Sequence, residues 1–290
     1  MRDFKIYTDS TSDLPGAVAK QMDITVVPTE FFVGGRGYLD YPDEREFSKK
    51  EFYGHMRAGE MPTTSVIPPV RFYEYFERDI KEGFDILYIV FSSGLSTTMQ
   101  NALVAAEDLR AVYPESNVVV VDSLCASLGE GLVAFYAAKL KKEGHTLGET
   151  ARWIENNRLR VCHWFSVDDL QHLRRGGRVS AVSAAVGGML GIKPIIYLSD
   201  EGKLEPVEKV RGRKAALETL VNKVRADAVD PSEQTIFITN ADCEEDCEWL
   251  KEQIIKETGT GEVITGMMGP VIGAHTGPGT LGLAFLGNNR

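Results

Sequence analysis

Apolar segments that are typical of strands alternate with segments of helical periodicity through the first 160 residues. The segments FKIYTDS, DILYIVF and NVVVVDS are short and apolar and end in polar residues, as buried strands do. Helical periodicity follows each of them, and the helix candidate PPVRFYEYFERDIKEG begins with prolines that suit a helix start. This alternation predicts a parallel sheet with helices on both faces, an α/β/α arrangement.

The pattern changes after residue 160. The segment KPIIYLSDEGKLEPVEKV is typical of a hairpin that turns at DEG, and hairpins belong to antiparallel or mixed sheets. Further strands are predicted at QTIFITN, GEVITGMM and LGLAFLG, helices at RKAALETLVNKVRADA and CEEDCEWLKEQIIKETG, and a run of small residues stands at AVSAAVGGMLG. We therefore predict an α/β protein of two domains, a parallel-sheet domain at 1–160 and a mixed-sheet domain at 161–290.

Length and charge narrow the classes of function. A chain of 290 residues can form two domains, each with its own core and with a cleft between them. The 32 basic and 42 acidic residues give a net charge of −10, which argues against nonspecific nucleic-acid binding and against a broad basic face for membranes. The first residues do not resemble a signal peptide and no run of 18 apolar residues occurs, so we expect a cytoplasmic protein.

The four cysteines lack the spacing of a zinc ribbon or of a disulfide framework, so we expect free thiols. The segment CEEDC places Cys243 and Cys247 one helical turn apart, but two thiolates are too few for a zinc site. We expect this segment to be plain helix surface, and we expect neither a metal nor a cofactor.

Polar clusters follow three of the predicted strands of the first sheet. They are TDSTSD, SSGLSTT and DSLCAS. Serine, threonine and aspartate favour helix N-caps, which is sufficient reason for any one of these clusters. The carboxyl ends of parallel strands meet at one sheet edge, where ligands bind, so three clusters together predict a shared site.

The hydroxyls of SSGLSTT suggest either a serine nucleophile or a cradle that hydrogen-bonds an anion. The nucleophile-elbow pattern GxSxG is absent, although Ser93 or Ser96 remains a candidate nucleophile with His275 as its base. His275 lies in the glycine-rich segment IGAHTGPG, whereas His55, His145, His163 and His172 have ordinary helix or strand surroundings. The segments HLRRGGRVS and KVRGRKAA are basic, and each predicts either a solvated face or a site for a phosphate or an acidic partner.

Taken together, these segments resemble the DegV family. The resemblance spans nearly the whole chain and rests on KIYTDSTSDLP, PTTS, SSGLSTTMQNA, VVVVDSLCASLGEGL, LQHLRRGGRVS, GIKPIIYLSDEGKLEPVEKVRGRKAA and HTGPG, in this order. The family includes the fatty-acid-binding subunits of bacterial fatty acid kinase. The resemblance implies two α/β domains with a long-chain fatty acid between them and no catalysis by this chain alone.

The resemblance also implies roles for particular residues. A separate kinase subunit would phosphorylate the presented carboxyl group to an acyl phosphate, and transient contact with a membrane is compatible with that role. Residues expected to hold the carboxylate are Thr64, Ser65, Ser93, Ser96 and His275, and those expected to face the kinase are Arg175 and Arg211. Two rival hypotheses stay open, namely a serine hydrolase or acyl transferase and a lipid carrier that has no kinase partner.

The sequence departs from the family pattern beside the expected head-group site. Family members commonly have glutamine and proline after the Thr-Ser pair, where this chain has Val66 and Ile67, and LSTT replaces the more usual LSGT. The first change removes a polar side chain next to the carboxylate. A carboxylate taken out of water needs donors, so the hydroxyl clusters are better explained as a cradle than as nucleophiles.

Overall fold

The computed structural model describes residues 2–179 and 191–290. The run of small residues at 181–191 lies, except for its last glycine, outside the described residues. The strands are β1 (Phe4–Asp9), β2 (Ile24–Val27), β3 (Glu30–Val33), β4 (Arg36–Leu39), β5 (Thr63–Thr64), β6 (Asp85–Val90), β7 (Val118–Asp122), β8 (Val161–Ser166), β9 (Ile192–Leu198), β10 (Leu204–Arg211), β11 (Thr235–Asn240), β12 (Glu262–Met267) and β13 (Leu281–Leu286). The helices are α1 (Gly16–Met22), α2 (Lys49–Arg57), α3 (Pro69–Lys81), α4 (Thr98–Val112), α5 (Leu128–Lys142), α6 (Leu147–Asn157), α7 (Gln171–Arg175), α8 (Arg213–Asp227), α9 (Glu244–Thr258) and α10 (Pro270–Thr276). None of these helices is long and apolar enough to cross a membrane.

The first sheet has the strand order β2-β1-β6-β7, and its strands are parallel. Successive residues of a strand face opposite sides, so Tyr7 and Tyr88 pack against α3 and α4, whereas Leu87 and Ile89 pack on the side of α5. Strand β6 is buried on both faces of the sheet, which explains why its sequence is a nearly continuous apolar run. The predicted parallel sheet with helices on both faces is confirmed.

The second sheet has the strand order β10-β9-β8-β13-β11-β12. Its pairs are antiparallel except for β11 and β12, which are parallel, so the predicted mixed sheet is confirmed. The hairpin β9-β10 turns between Leu198 and Leu204, as the DEG segment predicts. Helices α8 and α9 cover one face of this sheet, where Leu220 and Leu250 pack against Ile236 and Ile238.

Helix α5 joins the two sheets in one core. Its Leu132 and Phe135 belong to the same buried cluster as Leu87 of the first sheet and Phe237 of the second. The ring centroids of Phe135 and Phe237 lie 5.5 Å apart. This cluster therefore includes residues from both halves of the chain, because one helix is buried on two faces. Two other clusters are each confined to one half. The division near residue 160 falls between the strands of the two sheets but does not divide this core.

A small antiparallel sheet, β4-β3-β5, departs from the pattern predicted from the sequence. The segment ITVVPTEFFV divides at its proline, with β2 in the first sheet and β3 in the small one. The small sheet packs with α2 and α10, where Phe31 and Phe52 contact Met268 and Ile272 in a buried cluster. The small sheet belongs to the N-terminal half of the chain and is thus held in place by residues of the C-terminal half.

The four cysteines are free thiols. Cys243 precedes α9 and Cys247 lies in its first turn, but Cys247 is only 4% exposed and packs in the core beneath the helix. The prediction of plain helix surface was therefore wrong for Cys247, which occupies an inward-facing helical position. Within 2–179 and 191–290, no cluster of three histidine, cysteine or acidic side chains is placed to hold a metal ion.

Candidate functional site

The three polar clusters of the first sheet follow β1, β6 and β7, which are neighbours in a parallel sheet. Each cluster contributes to one cavity that lies between the two sheets. Residues from the first half that line it include Thr11, Thr64, Ser65, Val66, Ser96, Thr98 and Ser127, and those from the second include His163, Phe165, Leu173, Arg178, Thr239 and His275. The remaining lining residues are mostly apolar. The cavity thus combines an apolar interior with a set of hydroxyl groups.

A hydrogen bond between the two halves of the chain marks one end of the cavity. The Oγ1 atom of Thr64, on β5, lies 3.0 Å from Nε2 of His275, on α10. Gly176 packs so closely on the ring that a Cβ atom there would lie 2.4 Å from Nδ1 of His275. Burial and the nearby positive charge of Arg178 lower the pKa of His275 to about 4. His275 is therefore neutral near pH 7, with one nitrogen that donates and one that accepts.

Ser96 lies two residues before α4 and lines the cavity. Its Oγ accepts the backbone N–H of Thr98 at 3.2 Å and lies 2.9 Å from Oγ1 of Thr98, at the start of α4. Ser96 thus accepts one backbone N–H at the start of α4 and lines the cavity at the same time. Hydroxyls fixed by a helix start are already oriented when a ligand arrives, which lowers the entropy cost of binding.

Ser65 also lines the cavity, and its hydroxyl donates to Oε2 of Glu30 at 3.3 Å. Val66, at the position of the family's glutamine, lines the cavity as well, so the departure from the family pattern adds apolar surface next to Thr64. Ile67 is fully buried in the cluster under α3 and α4 and does not line the cavity. Only the first of the two replacements therefore alters the site.

Ser93 does not lie with the other predicted site residues. It is exposed at the turn after β6, where its backbone N–H donates to Oδ1 of Asp122 at 3.3 Å, and it does not line the cavity. Its neighbour Ser92 is buried and donates to the carbonyl of Gly202 at 2.7 Å, in the turn of the β9-β10 hairpin. Ser93 thus faces solvent, whereas Ser92 faces the second sheet.

The arginines of the basic segments occupy three different environments. Arg175 is exposed, lies 3.1 Å from Nδ1 of His172, and lines a surface groove that also contains Thr64 and His275. Arg211 is exposed at the end of β10 and lines neither the groove nor the cavity. Arg178 lines both, and burial lowers its pKa. In the sequence, Arg178 is only one residue of the basic segment HLRRGGRVS, and its spacing gives no sign that it turns inward.

The cluster after β1 is largely closed on itself. Tyr88 donates to Asp9 at 2.6 Å, and Thr8 donates to Glu130 at 2.7 Å. The Thr11 hydroxyl lies within hydrogen-bond distance of both carboxyl groups and has one hydrogen to donate. Burial raises the pKa of Asp9 and the pKa of Glu130, since the charged forms lose hydration. These hydroxyls are therefore occupied by protein partners.

Asp13 extends this network to the C-terminal half. It accepts the hydroxyl of Ser127 and the backbone N–H of Gly269, the latter at 2.6 Å. Asp40 is buried nearby, and Lys49 donates to the carbonyl of Met267 at 2.8 Å. Burial raises the pKa of Asp13 and of Asp40 to about 7, against the opposing effect of the Lys49 charge.

Several lining residues come from the second sheet and were missed in the sequence. His163 and Phe165 are alternate residues of β8, and Thr239 lies on β11 across β13. In the sequence, His163 has ordinary strand surroundings. Alternation along a strand shows which residues share a face, but only the packing of the two sheets shows that this face meets a cavity.

A comparison with known families decides the membership of the chain. A family profile described as "Uncharacterised protein, DegV family" matches residues 3–288. The chain belongs to the DegV family. A DegV domain-containing protein of Clostridium perfringens is 42% identical over 290 residues, which cover 100% of this chain and 99% of the relative. The resemblance noted in the motifs is confirmed.

Solved DegV structures share the fold. One is titled as a DegV lipid binding protein from Thermotoga maritima, with a TM-score of 0.87, 30% identity and coverage of 99% of both chains. Another, titled as fatty acid binding of a DegV family protein from Thermus thermophilus, has a TM-score of 0.87 and 32% identity and covers 99% of this chain and 100% of the other. The DegV fold with its two sheets is therefore established for this chain.

The hydrogen bonds of the described residues do not form a nucleophile and base pair. His275 is bonded to Thr64, and Ser96 is bonded to Thr98. A serine nucleophile needs a base within hydrogen-bond reach, and the hydrogen bonds found within 2–179 and 191–290 connect neither Ser93 nor Ser96 to His275. The arrangement fits the holding of an anion better than the activation of a hydroxyl.

Proposed function

We propose that the chain binds a long-chain fatty acid in the cavity between its sheets and presents the carboxyl group to a partner kinase. The observation that carries this proposal is the pair Thr64 and His275, which lies where an apolar cavity meets a surface groove. The Thermotoga maritima structure is described as a lipid binding protein and the Thermus thermophilus structure as one of fatty acid binding, and both descriptions support the choice of ligand.

The physical chemistry of a fatty acid suits such a cavity. Burial of a chain of roughly 16 carbons at about 0.8 kcal/mol per methylene supplies on the order of 12 kcal/mol before the costs of association. The carboxylate needs donors, and Thr64, Ser96 and neutral His275 can supply them through O–H and N–H groups. Neutral donors leave a carboxylate oxygen able to attack a phosphoryl group, whereas an arginine bound to both oxygens would hinder that attack.

The exposed arginines suit the second half of the proposal. A kinase active site brings nucleotide phosphates and acidic side chains to the acyl group, so cations around the groove would meet negative charge. Arg175 lies in that groove and Arg211 stands at the end of β10, both open to solvent. Their expected role is docking or transfer, not retention of the lipid.

The ligand is tested by mass spectrometry of lipid extracted from the purified protein, where we expect a long-chain fatty acid at a near-stoichiometric level. Folded protein whose extracts contain no fatty acid would contradict the proposal. Release of a free acid from ester substrates by the isolated chain, abolished by Ser96→Ala, would support the rival hydrolase.

The kinase partnership has its own test. We expect Arg211→Ala to keep fatty-acid affinity near that of the wild type and to lower acyl-phosphate formation with the partner kinase about 10-fold, which corresponds to roughly 1.4 kcal/mol of lost contact. Lys214→Ala, which removes another exposed cation nearby, is the matched control. Equal losses of affinity and turnover in Arg211→Ala would place that arginine in lipid binding. Fatty-acid binding without any copurifying kinase would favour the carrier hypothesis.

A further inference from the structure

Helix α10 forms part of the cavity wall. The lining residues that come from this helix and from the segment before it are Met268, Val271, Ile272, His275 and Thr276. His275 lies near the end of the helix, where its Nε2 atom is 3.0 Å from Oγ1 of Thr64. The placement of α10 therefore decides both the shape of the apolar wall and the position of the histidine at the end of the cavity.

Polar side chains of the N-terminal half hold the segment 267–269, which leads into α10. Lys49 of α2 donates to the first carbonyl of this segment at 2.8 Å, and Tyr53 of the same helix donates to the second carbonyl at 3.0 Å. Asp13 accepts the backbone N–H of Gly269 at 2.6 Å. The start of α10 is thus fixed from outside the helix by residues that lie far away in the sequence.

Asp40 brings a second carboxyl group to the same glycine. A Cβ atom at residue 269 would lie 2.7 Å from Oδ2 of Asp40 and 3.0 Å from Oδ1 of Asp13. Asp40 is 5% exposed and Asp13 is 3% exposed, and within 2–179 and 191–290 the Oδ2 atom of Asp40 has no hydrogen-bond partner. Two buried carboxyl groups therefore flank one backbone position, in the room that a glycine leaves.

The charges around this pair balance only one carboxylate. Lys49 supplies the positive charge that acts most strongly on Asp13 and on Asp40. The other titratable groups that face the pair are Asp9, Glu44, Tyr53 and Glu130. None of these groups is a cation, so a second carboxylate would be buried without compensation. Burial accordingly raises the pKa of Asp13 and of Asp40 to about 7.

Resting on the proposed function, we propose that Asp13 and Asp40 position α10 for fatty-acid binding, and that full affinity requires a proton on this pair. With a proton on the pair, the segment 267–269 stays docked, and the cavity wall and His275 stay in place. With both groups charged, their repulsion and their lost hydration are relieved when the segment moves away from them. The wall of the cavity then moves with α10.

The sign of the pH effect follows from this linkage. The docked state holds a proton that a state with hydrated carboxylates releases, because burial raises the pKa of Asp40 from 3.8 to about 7. Docking therefore weakens as the pH rises through that window and is constant above it. His275, with a pKa of about 4, stays neutral in the upper part of the window. Fatty-acid affinity should fall over the same range.

The test measures the affinity for palmitate of the wild type and of Asp40→Asn, by titration calorimetry at about pH 5.5 and about pH 7.5. The ratio of the two dissociation constants cancels the titration of palmitate itself. We expect the wild type to lose affinity about 5-fold relative to Asp40→Asn over this range, since one proton allows at most about 10-fold per pH unit. Asp85→Asn is the matched control, because Asp85 is also buried but lies at the start of β6, outside the cavity lining.

Hydrogen exchange of the α10 amides gives a second readout that needs no ligand. At about pH 7.5, the helix should be more protected in Asp40→Asn than in the wild type, whereas at about pH 5.5 the two proteins should be alike. Equal protection of α10 in the two proteins at both pH values would contradict the positioning role. A purely structural role for Asp40 would change protection by the same factor at both.

The outcomes separate this inference from the function on which it rests. A ratio of dissociation constants that stays constant to within about 2-fold, while palmitate still binds, would overturn this inference and leave the proposed function intact. An equal change of the ratio in Asp85→Asn would show that the pair beside Gly269 is not its source. Failure of the wild type to bind palmitate at either pH would overturn the proposed function itself, and hydrogen exchange would still test the positioning of α10.

Discussion

The two hydroxyl-rich turns after β1 and β6 are similar in composition and differ in what their hydroxyls contact. In the turn after β1, Thr8 and Thr11 donate to buried carboxyl groups, and Asp13 accepts two further bonds from distant segments. In the turn after β6, Ser96 bonds only to the start of its own helix and faces the cavity. The first turn is thus part of the framework that holds the site, and the second is part of the site.

In this protein, the role of each hydroxyl-rich turn depends on whether a buried carboxyl group lies beside it. Asp9 and Glu130 stand beside the first turn and take its hydroxyl hydrogens, so few donors remain for a ligand. The second turn has no acid of this kind within hydrogen-bond distance of Ser96 among the described residues. Its hydroxyls keep capacity for an anion that arrives from outside.

The largest expected effect comes from the first turn. Asp13→Ala should lower the free energy of unfolding by about 3 kcal/mol, because the Gly269 N–H and the Ser127 hydroxyl lose their acceptor and because Asp13 has a φ of 52° that alanine disfavours. Urea denaturation measures the change. Asp13→Asn, which keeps an acceptor oxygen and tolerates this conformation, should lose less than half as much. A loss below about 1 kcal/mol in Asp13→Ala would show that the network is not structural.

The hydroxyls that face the cavity, Ser96 of the second turn and Thr64 of β5, should give the opposite result, a loss of binding without a loss of fold. Thr64→Val combined with Ser96→Ala should weaken fatty-acid affinity roughly 100-fold, since each hydrogen bond to a charged group contributes about 1.5 to 3 kcal/mol. The unfolding free energy should change by less than about 1 kcal/mol. Titration calorimetry and urea denaturation on the same preparations separate the two quantities. Unchanged affinity would remove both residues from the head-group site.

The pH dependence of stability tests the buried carboxyl groups near the first turn. The folded-state pKa of Asp40 is raised from 3.8 to about 7, so the folded protein holds a proton that the unfolded chain releases, and this group makes stability fall as pH rises through that window. The slope is at most about 1.4 kcal/mol per pH unit. Asp40→Asn lacks this titration, so its stability relative to the wild type should rise between roughly pH 4 and pH 7.

The control for this measurement is Asp43→Asn, because Asp43 is an exposed carboxylate whose pKa is lowered by its hydrogen bond with Arg45. Asp13 faces the same buried region as Asp40, so the wild-type curve contains its titration as well. The comparison is therefore between variant and wild type at each pH. Parallel stability curves for Asp40→Asn and the wild type would contradict the shifted pKa.

The smallest expected effect lies within the second turn itself. Ser93→Ala should change fatty-acid affinity less than about 2-fold and stability by less than about 0.5 kcal/mol, because the side chain is exposed outside the cavity lining. Ser92→Ala is the informative neighbour, since it removes a buried bond to Gly202 and should lower stability by about 1 kcal/mol or more. A large loss of affinity in Ser93→Ala would return this serine to the head-group site.

The strands of both main sheets and the longer helices are predictable from periodicity, because most of them are buried on a regular pattern of positions. Helix α10 is not predictable in this way, since its seven residues include Pro270 and Gly273 and it is held by contacts with α2 and the small sheet. Strand β5 has two residues and is defined only by its pairing with β3. These two elements carry His275 and Thr64, so the end of the site depends on the least predictable parts of the fold.

Four of the residues that the motifs indicate for the carboxylate, Thr64, Ser65, Ser96 and His275, line one cavity in the structure, and their role in binding stays a prediction. The motifs did not distinguish Ser93, which lies outside the cavity lining, from Ser96, which lies in it. Neighbouring positions in a turn point in different directions, and the sequence alone does not show them. His163 was missed for a related reason, since a strand histidine acquires its role only from the sheet that packs opposite it.

The shared burial of α5 limits how this family can exchange parts by recombination. A crossover near residue 160 would join α5 of one parent to the second sheet of another, so the contact between Phe135 and Phe237 would have to fit by chance. Because α5 packs against both sheets, a change in either half must stay compatible with this helix. Chimaeras of DegV relatives should survive most readily when the residues around Phe135 and Phe237 come from the same parent.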